Sequence, residues 1–399
     1  MDADGFALLT INTGSSSLKT GVYRVVNGAP RVTLRAEARQ IGSDASQVVV
    51  ADGAGKSLTD QTARLADHAA ALDMVLRQFA EHGAPRQFAA VGHRVVHGGQ
   101  RYTSPTWLDA DVVRALQELV PLAPDHLPQS IAAIKTISTL MPDVRQVACF
   151  DTSFHHTLPR RARLFALPRA LAEQGIVRFG FHGLSCEYLV EQLRSLDPQH
   201  IGGRTVITHL GSGASMTAVV RGQSVDTSMG FTPTGGLVMS TRSGDLDPGV
   251  LVYLLRQRGY SADALDRLCN RESGLAGLSE IGPDMRELVE RRDSDARAGE
   301  AVELFCYQAR KFLAGFAGAM GGLDTVVFAG GIGENAPYIR QQICAELEFL
   351  GVALDRQRNE AGAAEISSET SSVRVRVIKT DEDLMIARHT QRLVASHGE

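Results

Sequence analysis

The chain has 399 residues, a formal net charge of −4 and 22% charged residues, with acidic and basic side chains mixed along it, so neither a nucleic-acid face nor a membrane-surface patch is written into it. That length exceeds what one core usually fills and predicts two domains. No apolar run approaches the ~18 residues of a membrane span, Met1-Asp2-Ala3-Asp4 is acidic where a signal peptide is basic, and five scattered cysteines without a C-x-x-C pair read as reduced thiols, so a cytoplasmic location is expected.

The first apolar run, residues 6–11, reads as a strand that breaks into Asn12-Thr13-Gly14-Ser15-Ser16-Ser17-Leu18-Lys19. Such a turn aims backbone N–H groups, hydroxyls and one ammonium at a single point, which is how loops hold phosphate. Only five lysines occur, and 36 of the 41 basic residues are arginine, so a placed lysine weighs more than a lone arginine. Residues 21–37 read as two further strands joined by the hairpin dipeptide Asn27-Gly28. The Asp/Gly/Ser-rich stretch 43–60 is expected as a surface excursion, and 62–79 as an amphipathic helix. A strand at 88–96, helices at 109–120 and 125–140, and a strand at 146–150 follow. The crossing between domains is expected at the start of the proline-containing segment 159–169.

The second half repeats the theme. After a helix at 186–196, a strand at 204–208 breaks into His209-Leu210-Gly211-Ser212-Gly213, followed by strands at 214–220 and 223–226 with Arg221-Gly222 between them. Helices are expected over 248–320. A buried strand at 323–329 ends in Gly330-Gly331-Ile332-Gly333, with a helix from Glu334 to Phe349, a strand at 373–378 and a final helix at 381–395. Two turns of one make imply two related halves facing one ligand. The fold class expected is α/β, with domains at 1–155, completed by a C-terminal helix at 384–399, and at 156–383.

Several residues carry candidate chemistry, each with two readings open. Gly330 to Asn335, between a strand and a helix, lets backbone approach a nucleotide, or is a tight turn needing positive φ. Arg94, between apolar strand residues, needs an anion: a ligand or a structural partner. Asp151, at the C-terminal edge of a strand, suits catalysis or metal binding, and equally a cap on the next turn. His182, among aromatic residues, reads as a desolvated imidazole that is functional or merely buried. Arg242 lies in a polar stretch, Thr241 to Pro248, of the kind that lines sites. His155-His156 lacks the spacings of a zinc site, and zinc is rejected.

Taken together, Asn12 to Lys19, Gly92 to Gly99, Phe150-Asp151-Thr152-x-Phe154-His155, Phe181-His182-Gly183, Asp226 to Pro233, Thr241 to Asp245, Gly330 to Asn335 and Thr380-Asp381-Glu382 resemble the acetate kinase family, within the acetate and sugar kinase, heat-shock ATPase and actin superfamily, over residues 7–392. The resemblance implies two duplicated ribonuclease H-like domains with a cleft between them, closing on ATP, usually as a homodimer, and transfer of phosphate between ATP/ADP and a short carboxylate with Mg2+ or Mn2+. It implies that Asn12 and the Ser15–Ser17 turn lie near the transferred phosphoryl group, that Arg94 and Arg242 clamp it, and that His182 donates to it. Asp151 and Glu382 would position metal and substrate, with Asn12 beside the metal. Lys19, His209, Gly211, Ser212 and Gly213 would hold the ATP phosphates. Asp284, Met285 and Arg286, with Gly330, Gly331, Ile332, Gly333, Glu334 and Asn335, would hold the adenosine. Val96, Phe181 and Pro233 would form an apolar pocket for the acid. No general base is required, because a carboxylic acid is already ionised at neutral pH.

The chain departs from the family at Asp125, where an asparagine-containing Leu-His-Asn-Pro is usual, and at Cys186, Ser212 and Thr234-Gly235. Asp125 either meets the substrate and must be paired, or caps the following helix. These departures leave acetate as the first expectation, propionate, butyrate or a hydroxy acid as alternatives, and a non-catalytic nucleotide switch as the contrasting class.

Overall fold

A computed structural model of the chain describes residues 5–197 and 202–396. The acidic start, residues 1–4, and the end of the expected C-terminal helix, residues 397–399, lie outside the described residues. The chain is α/β and forms two compact units, Met1–Ser153 with Asp381–Glu399, and Phe154–Thr380.

The first unit is built on a sheet of eight strands: β1 Ala7–Thr13, β2 Ser17–Val26, β3 Ala29–Arg39, β4 Ser46–Asp52, β5 Ser57–Ala63, β6 Ala90–Val95, β7 Thr106–Trp107 and β8 Gln146–Phe150, in the order β5-β4-β3-β2-β1-β6-β8-β7. β1 is antiparallel to β2 and parallel to β6, which is parallel to β8. Asn27 and Gly28 both take positive φ, 52° and 73°, so the predicted dipeptide makes the tight turn whose twist matches its strands. Residues 43–60 are not an excursion. β4 and β5 extend the meander, and Val48 and Val50 alternate into the core. The Asp and Gly that implied a loop belong to the turn between them, while the valine run decides the strand. The following helix consequently starts late, at His68–Glu81, with the Asp67 carboxylate accepting from Ala70 N.

That helix and Leu127–Leu140 cover one face of the sheet, where Leu72, Val75, Phe79 and Ile137 pack with Val22, Val48 and Val50. Each such side chain contributes roughly 1.5–3 kcal/mol on burial. The other face takes the final helix, Glu382–Ser396. Gly92 on β6 permits this approach, since a Cβ there would come within 2.2 Å of Thr390 Oγ1.

The second unit repeats the plan with five strands, β9 Arg204–Leu210, β10 Ala214–Val220, β11 Gln223–Thr227, β12 Thr325–Ala329 and β13 Arg374–Val377, ordered β11-β10-β9-β12-β13. An antiparallel meander again leads into two parallel neighbours, so β9 corresponds to β1, β12 to β6 and β13 to β8. Even the hairpin turn recurs, with Arg221 at φ 53° and Gly222 at φ 77°. This is the duplicated ribonuclease H-like, actin-like ATPase plan. One expectation fails after β12: Gly330 to Asn335 is itself a short helix, and Pro337–Cys344 is a second one, so no single helix runs from 334 to 349. Pro337 has no N–H to continue the first helix, but fits the first turn of the next.

Candidate active site

In the first unit, three strand ends bring Asn12, Arg94 and Asp151 together. Asn12 lies near the end of β1, opposite Lys19 on β2. Arg94, on β6, sets Nε and Nη2 on Asp151 Oδ2 at 3.0 and 2.6 Å, and points Nη1 at Asn12 Oδ1 and the Thr13 carbonyl at 3.4 and 3.5 Å. Glu382, at the start of the final helix, accepts from Asn12 Nδ2 at 3.3 Å and lies 3.9 Å from Arg94 Nε. Asp151 is fully buried and its Oδ1 has no partner. Burial pushes its carboxyl up to about 6, against the pull of the Arg94 guanidinium and with added repulsion from Glu382. Asp383, which the sequence reading passed over, belongs to the same cluster: burial and the neighbouring Asp381 and Glu382 raise it to about 6, and its Oδ1 is also buried without a partner. Its position beside Glu382 was the signal that could have found it. His68 steadies the adjoining turn through a 2.8 Å bond from Nε2 to the Gly14 carbonyl. Lys19, Ser15 and Ser16 are exposed.

One guanidinium among the carboxylates of Asp151, Glu382 and Asp383 leaves a net negative, oxygen-rich cluster with two unsatisfied buried oxygens. That donor set suits a hard divalent cation such as magnesium. Among the described residues no three acidic or histidine side chains form a ready-made cage. Magnesium does not need one, because it retains waters and binds through one or two carboxylates plus substrate phosphates.

In the second unit, the turn after β9 gathers the other group. Gly211 N bonds to the Gly213 carbonyl at 3.0 Å, closing the turn. A Cβ at Gly213 would lie 3.3 Å from His182 Nε2 and 3.6 Å from Arg242 Nη1, so both basic side chains reach the same point of the turn. His182 is half-buried, not the desolvated imidazole expected. It caps the helix Gly183–Leu196 in the left-handed region at φ 58°, stacks on His209 with ring centroids 4.3 Å apart, and shares a 2.9 Å bond between Nδ1 and Ser215 Oγ. His209 Nδ1 bonds to Ser185 Oγ, which meets Thr380 Oγ1, both at 2.8 Å. Sequence reasoning gave Ser185, Ser215 and Thr380 no role, since nothing local marks a hydroxyl as the partner of a distant ring. Arg242 is half-buried, with Nη1 3.3 Å from the Pro233 carbonyl. Ser212 is exposed, and its carbonyl accepts from Ser240 N.

The glycine run abuts this turn. Gly330 has φ +76° and a Cβ there would lie 2.7 Å from the Leu210 carbonyl oxygen, so both conformation and space demand glycine. Gly331 is open, with its N 3.9 Å from where a Cβ on Gly211 would sit, and Gly333 is buried. Glu334 faces inward: Oε1 accepts from Gly330 N at 3.0 Å and Thr380 N at 3.1 Å. Its carboxylate therefore braces the backbone, and Asn335 likewise donates back to the Gly331 carbonyl. Ile332 is half-buried. Asp284 caps the helix Met285–Arg291 by accepting from Arg286 N, Arg286 is exposed, and Met285 is a core residue at 4% exposure, so its side chain does not reach solvent as a contact would require.

Val96 in the first unit and Phe181 in the second are buried, and Pro233 is half-buried. Asp125 is half-buried and does not hold the cap position, which is His126, one residue before the helix Leu127–Leu140. Cys186 is fully buried, 3.6 Å from Thr217 Oγ1. Gly235 lies beside Asp245, whose Oδ1 would be 3.2 Å from a Cβ there and accepts from Gly236 N.

The chain is similar to known proteins along its whole length. Acetate kinase of Methylocella silvestris is 44% identical, covering 97% of this chain and 98% of that protein, and acetate kinase of Clostridium beijerinckii is 40% identical, covering 97% and 99%. Among solved structures, acetate kinase of Porphyromonas gingivalis gives a TM-score of 0.86 at 34% identity, covering 97% of this chain and 99% of that one. A propionate kinase from Francisella tularensis gives 0.89 at 35%, covering 96% and 98%. The profile of the Acetokinase family matches residues 7–388, and the chain belongs to that family.

Proposed function

We propose that the chain is an ATP-dependent acetate kinase: a carboxylate oxygen of acetate attacks the γ-phosphorus of ATP, the bond from that phosphorus to the β,γ-bridging oxygen breaks, and ADP and acetyl phosphate result, reversibly. The observation that carries this reading is the approach of His182 Nε2 and Arg242 Nη1 to one glycine of the turn after β9, two donors aimed where a terminal phosphate would sit. In phosphoryl transfer charge spreads over three equatorial oxygens, so the protein's work is positioning and neutralisation. We assign the phosphates to His209, Gly211, Ser212 and Gly213, and the adenosine to the open Gly331 with the Asp284 and Arg286 segment. Arg94, already oriented by Asp151, supplies charge to the transferring group or the acid. Magnesium, when bound, would neutralise phosphate charge, and Asn12, Asp151 and Glu382 are the residues that would hold it, through its waters where direct contact is lacking.

A hydroxamate-trapping assay with ATP, Mg2+ and acetate, propionate, butyrate or lactate tests this. Acetate is expected to give the highest kcat/KM, and an acetate preference under about tenfold abandons the assignment to acetate. A propionate, butyrate or hydroxy-acid preference is the second reading, suggested by Asp125 and Gly235, with propionate also suggested by the likeness to a propionate kinase.

A homodimer completes the proposal. The helix Pro248–Gln257 has no buried residue, and Val250, Val252, Tyr253 and Leu255 are 43–51% exposed, apolar side chains that a second copy would cover. A cytoplasmic location fits a user of ATP whose five cysteines stand outside disulfides, and among the described residues no helix is long and apolar enough to cross a membrane.

A further inference from the structure

His155, set aside in the sequence as a zinc ligand, is 1% exposed, and both its ring nitrogens are engaged. Nε2 lies 2.9 Å from the Phe181 carbonyl oxygen and Nδ1 lies 2.9 Å from Ser224 Oγ. A carbonyl can only accept, so Nε2 carries the proton, and Nδ1 accepts from the Ser224 hydroxyl. The ring is neutral and satisfied on both sides. Gly180 lies against it: at φ +77° a Cβ there would fall 2.7 Å from His155 Cγ and Cδ2, and also 2.7 Å from Thr227 Cγ2.

The carbonyl that His155 grips belongs to the peptide joining Phe181 to His182. His182 is a non-glycine residue held at φ 58°, ψ 28°, a conformation that L side chains rarely adopt and that persists only where neighbours over-determine it. Rotation of that peptide toward an ordinary helical or extended state would swing the His182 ring off His209 and off Ser215. At the helix start the His182 carbonyl accepts from Cys186 N at 2.9 Å, but His182 makes no side-chain cap bond to Gly183–Leu196. A further restraint acts on the preceding peptide from below: Ser224 on β11 orients His155, and His155 anchors the Phe181 carbonyl. The hydrogen bonds of His155 go to Ser224 and Phe181, and neither nucleotide nor acid is assigned to it.

We propose that His155 is a positioning residue, a neutral Nε2–H donor that fixes the Phe181–His182 peptide and so holds the His182 imidazole at the phosphate turn. The inference rests on the reading of His182 as a donor to the transferring phosphoryl group, and it deepens that reading by naming what keeps the donor in place. Its chemistry requires a donor of imidazole reach facing the carbonyl. Glutamine can imitate that donor, and leucine cannot.

The test measures kcat and the KM for ATP and acetate in H155L and H155Q, each in the wild-type and in the H182A background. H155L is expected to lower kcat about tenfold or more with the KM for ATP within about threefold, and H155Q to restore kcat to within about threefold of wild type. In the H182A background H155L is expected to cost less than about twofold, because the group it positions is already gone. An equal loss in both backgrounds, or a folded H155L with wild-type kcat, overturns the proposal. Should H155L fail to accumulate in folded form, S224A takes its place in the same two-background comparison, with the same two overturning outcomes. Failure of the functional reading registers separately, as a wild-type protein that yields no acetyl phosphate.

Discussion

Arg94 places both Nε and Nη2 on one oxygen of Asp151, Oδ2, while Oδ1 of the same buried carboxylate has no partner. A guanidinium that grips one oxygen and leaves the other bare is different from a closed structural ion pair, in which both oxygens would be taken. The guanidinium opposes the upward shift that burial imposes on the Asp151 carboxyl, and Oδ1 is left as the oxygen of that carboxylate without a hydrogen-bond partner. Asp151→Asn, which keeps the shape and removes the charge, is expected to lower kcat about a hundredfold and to raise the magnesium concentration needed for half-maximal rate, while ATP binding by titration calorimetry persists. An unchanged magnesium requirement would argue that Oδ1 serves only the fold.

Arg94 and Arg242 are expected to act on transition-state charge more than on ground-state binding. Arg94→Ala and Arg242→Ala should each lose at least about a hundredfold in kcat while ATP still binds. Lysine at position 94 should rescue poorly, because one ammonium cannot reach Asp151, Asn12 and the Thr13 carbonyl together as the guanidinium does. Steady-state kinetics with direct nucleotide titration separates the two effects, and near-normal turnover in either alanine variant contradicts the clamp.

Gly330→Ala tests the joint between the two glycine turns. The substitution puts a Cβ 2.7 Å from the Leu210 carbonyl oxygen at a positive φ, so a loss of about 2 kcal/mol or more in unfolding free energy is expected. Because backbone and not a flexible side chain must give way, the Gly211–Gly213 turn should shift with it. The KM for ATP should therefore rise while the KM for acetate changes little. Chemical denaturation and the two Michaelis constants read both parts.

Buried neutral histidines should contribute acid sensitivity. Burial lowers His93 and His155 from the usual 6.5 to about 4, against hydrogen bonds that favour the proton. Between about pH 4 and 6.5 each of these histidines binds its proton first in the unfolded chain, so their contribution to stability falls as pH falls through that window, while Asp151 and Asp383, raised to about 6, gain protons first in the folded chain and act in the opposite sense. Each histidine should cost about 1 kcal/mol on going from pH 6.5 to 5.5. His93→Gln, which leaves Gln146 a partner in place of the ring, should remove that cost from the pH dependence of the unfolding free energy, read by chemical denaturation at pH 6.5 and 5.5. A parallel slope in the variant would show that other groups govern it.

The exposed apolar residues of Pro248–Gln257 predict that Tyr253→Glu and Val250→Asp, alone or together, yield a monomer by sedimentation velocity with helix content unchanged, since neither side chain is buried in one copy. A wild-type protein that sediments as a monomer at micromolar concentration removes the dimer.

Much of the plan was legible along the chain because its signals are local. Asn27-Gly28 and Arg221-Gly222 take the positive φ values that a two-residue hairpin needs, and β1 and β9, buried on both faces, read as continuous apolar runs. The misreadings have equally local causes. Asp52, Gly53 and Gly55 outweighed the valines of β4 in a composition-based view, although the valines bury and the glycines merely turn. The glycines after β12 read as a turn leading into a helix, whereas in space they are themselves a short helix pressed on the Leu210 carbonyl.

The sequence by itself determined the repeated strand–turn–strand units, the glycine turns and the identities of the charged groups, because turn chemistry and hydrophobic period act between neighbours. Only the tertiary structure decided what those groups face. Arg94 and Asp151 meet across 57 positions, Asn12 and Glu382 across 370, and His155 reaches the Phe181 carbonyl across 26. Partners so far apart are chosen by which strand ends a sheet order places side by side and by which polar atoms burial leaves unsatisfied, and neither is a property of any one stretch of chain.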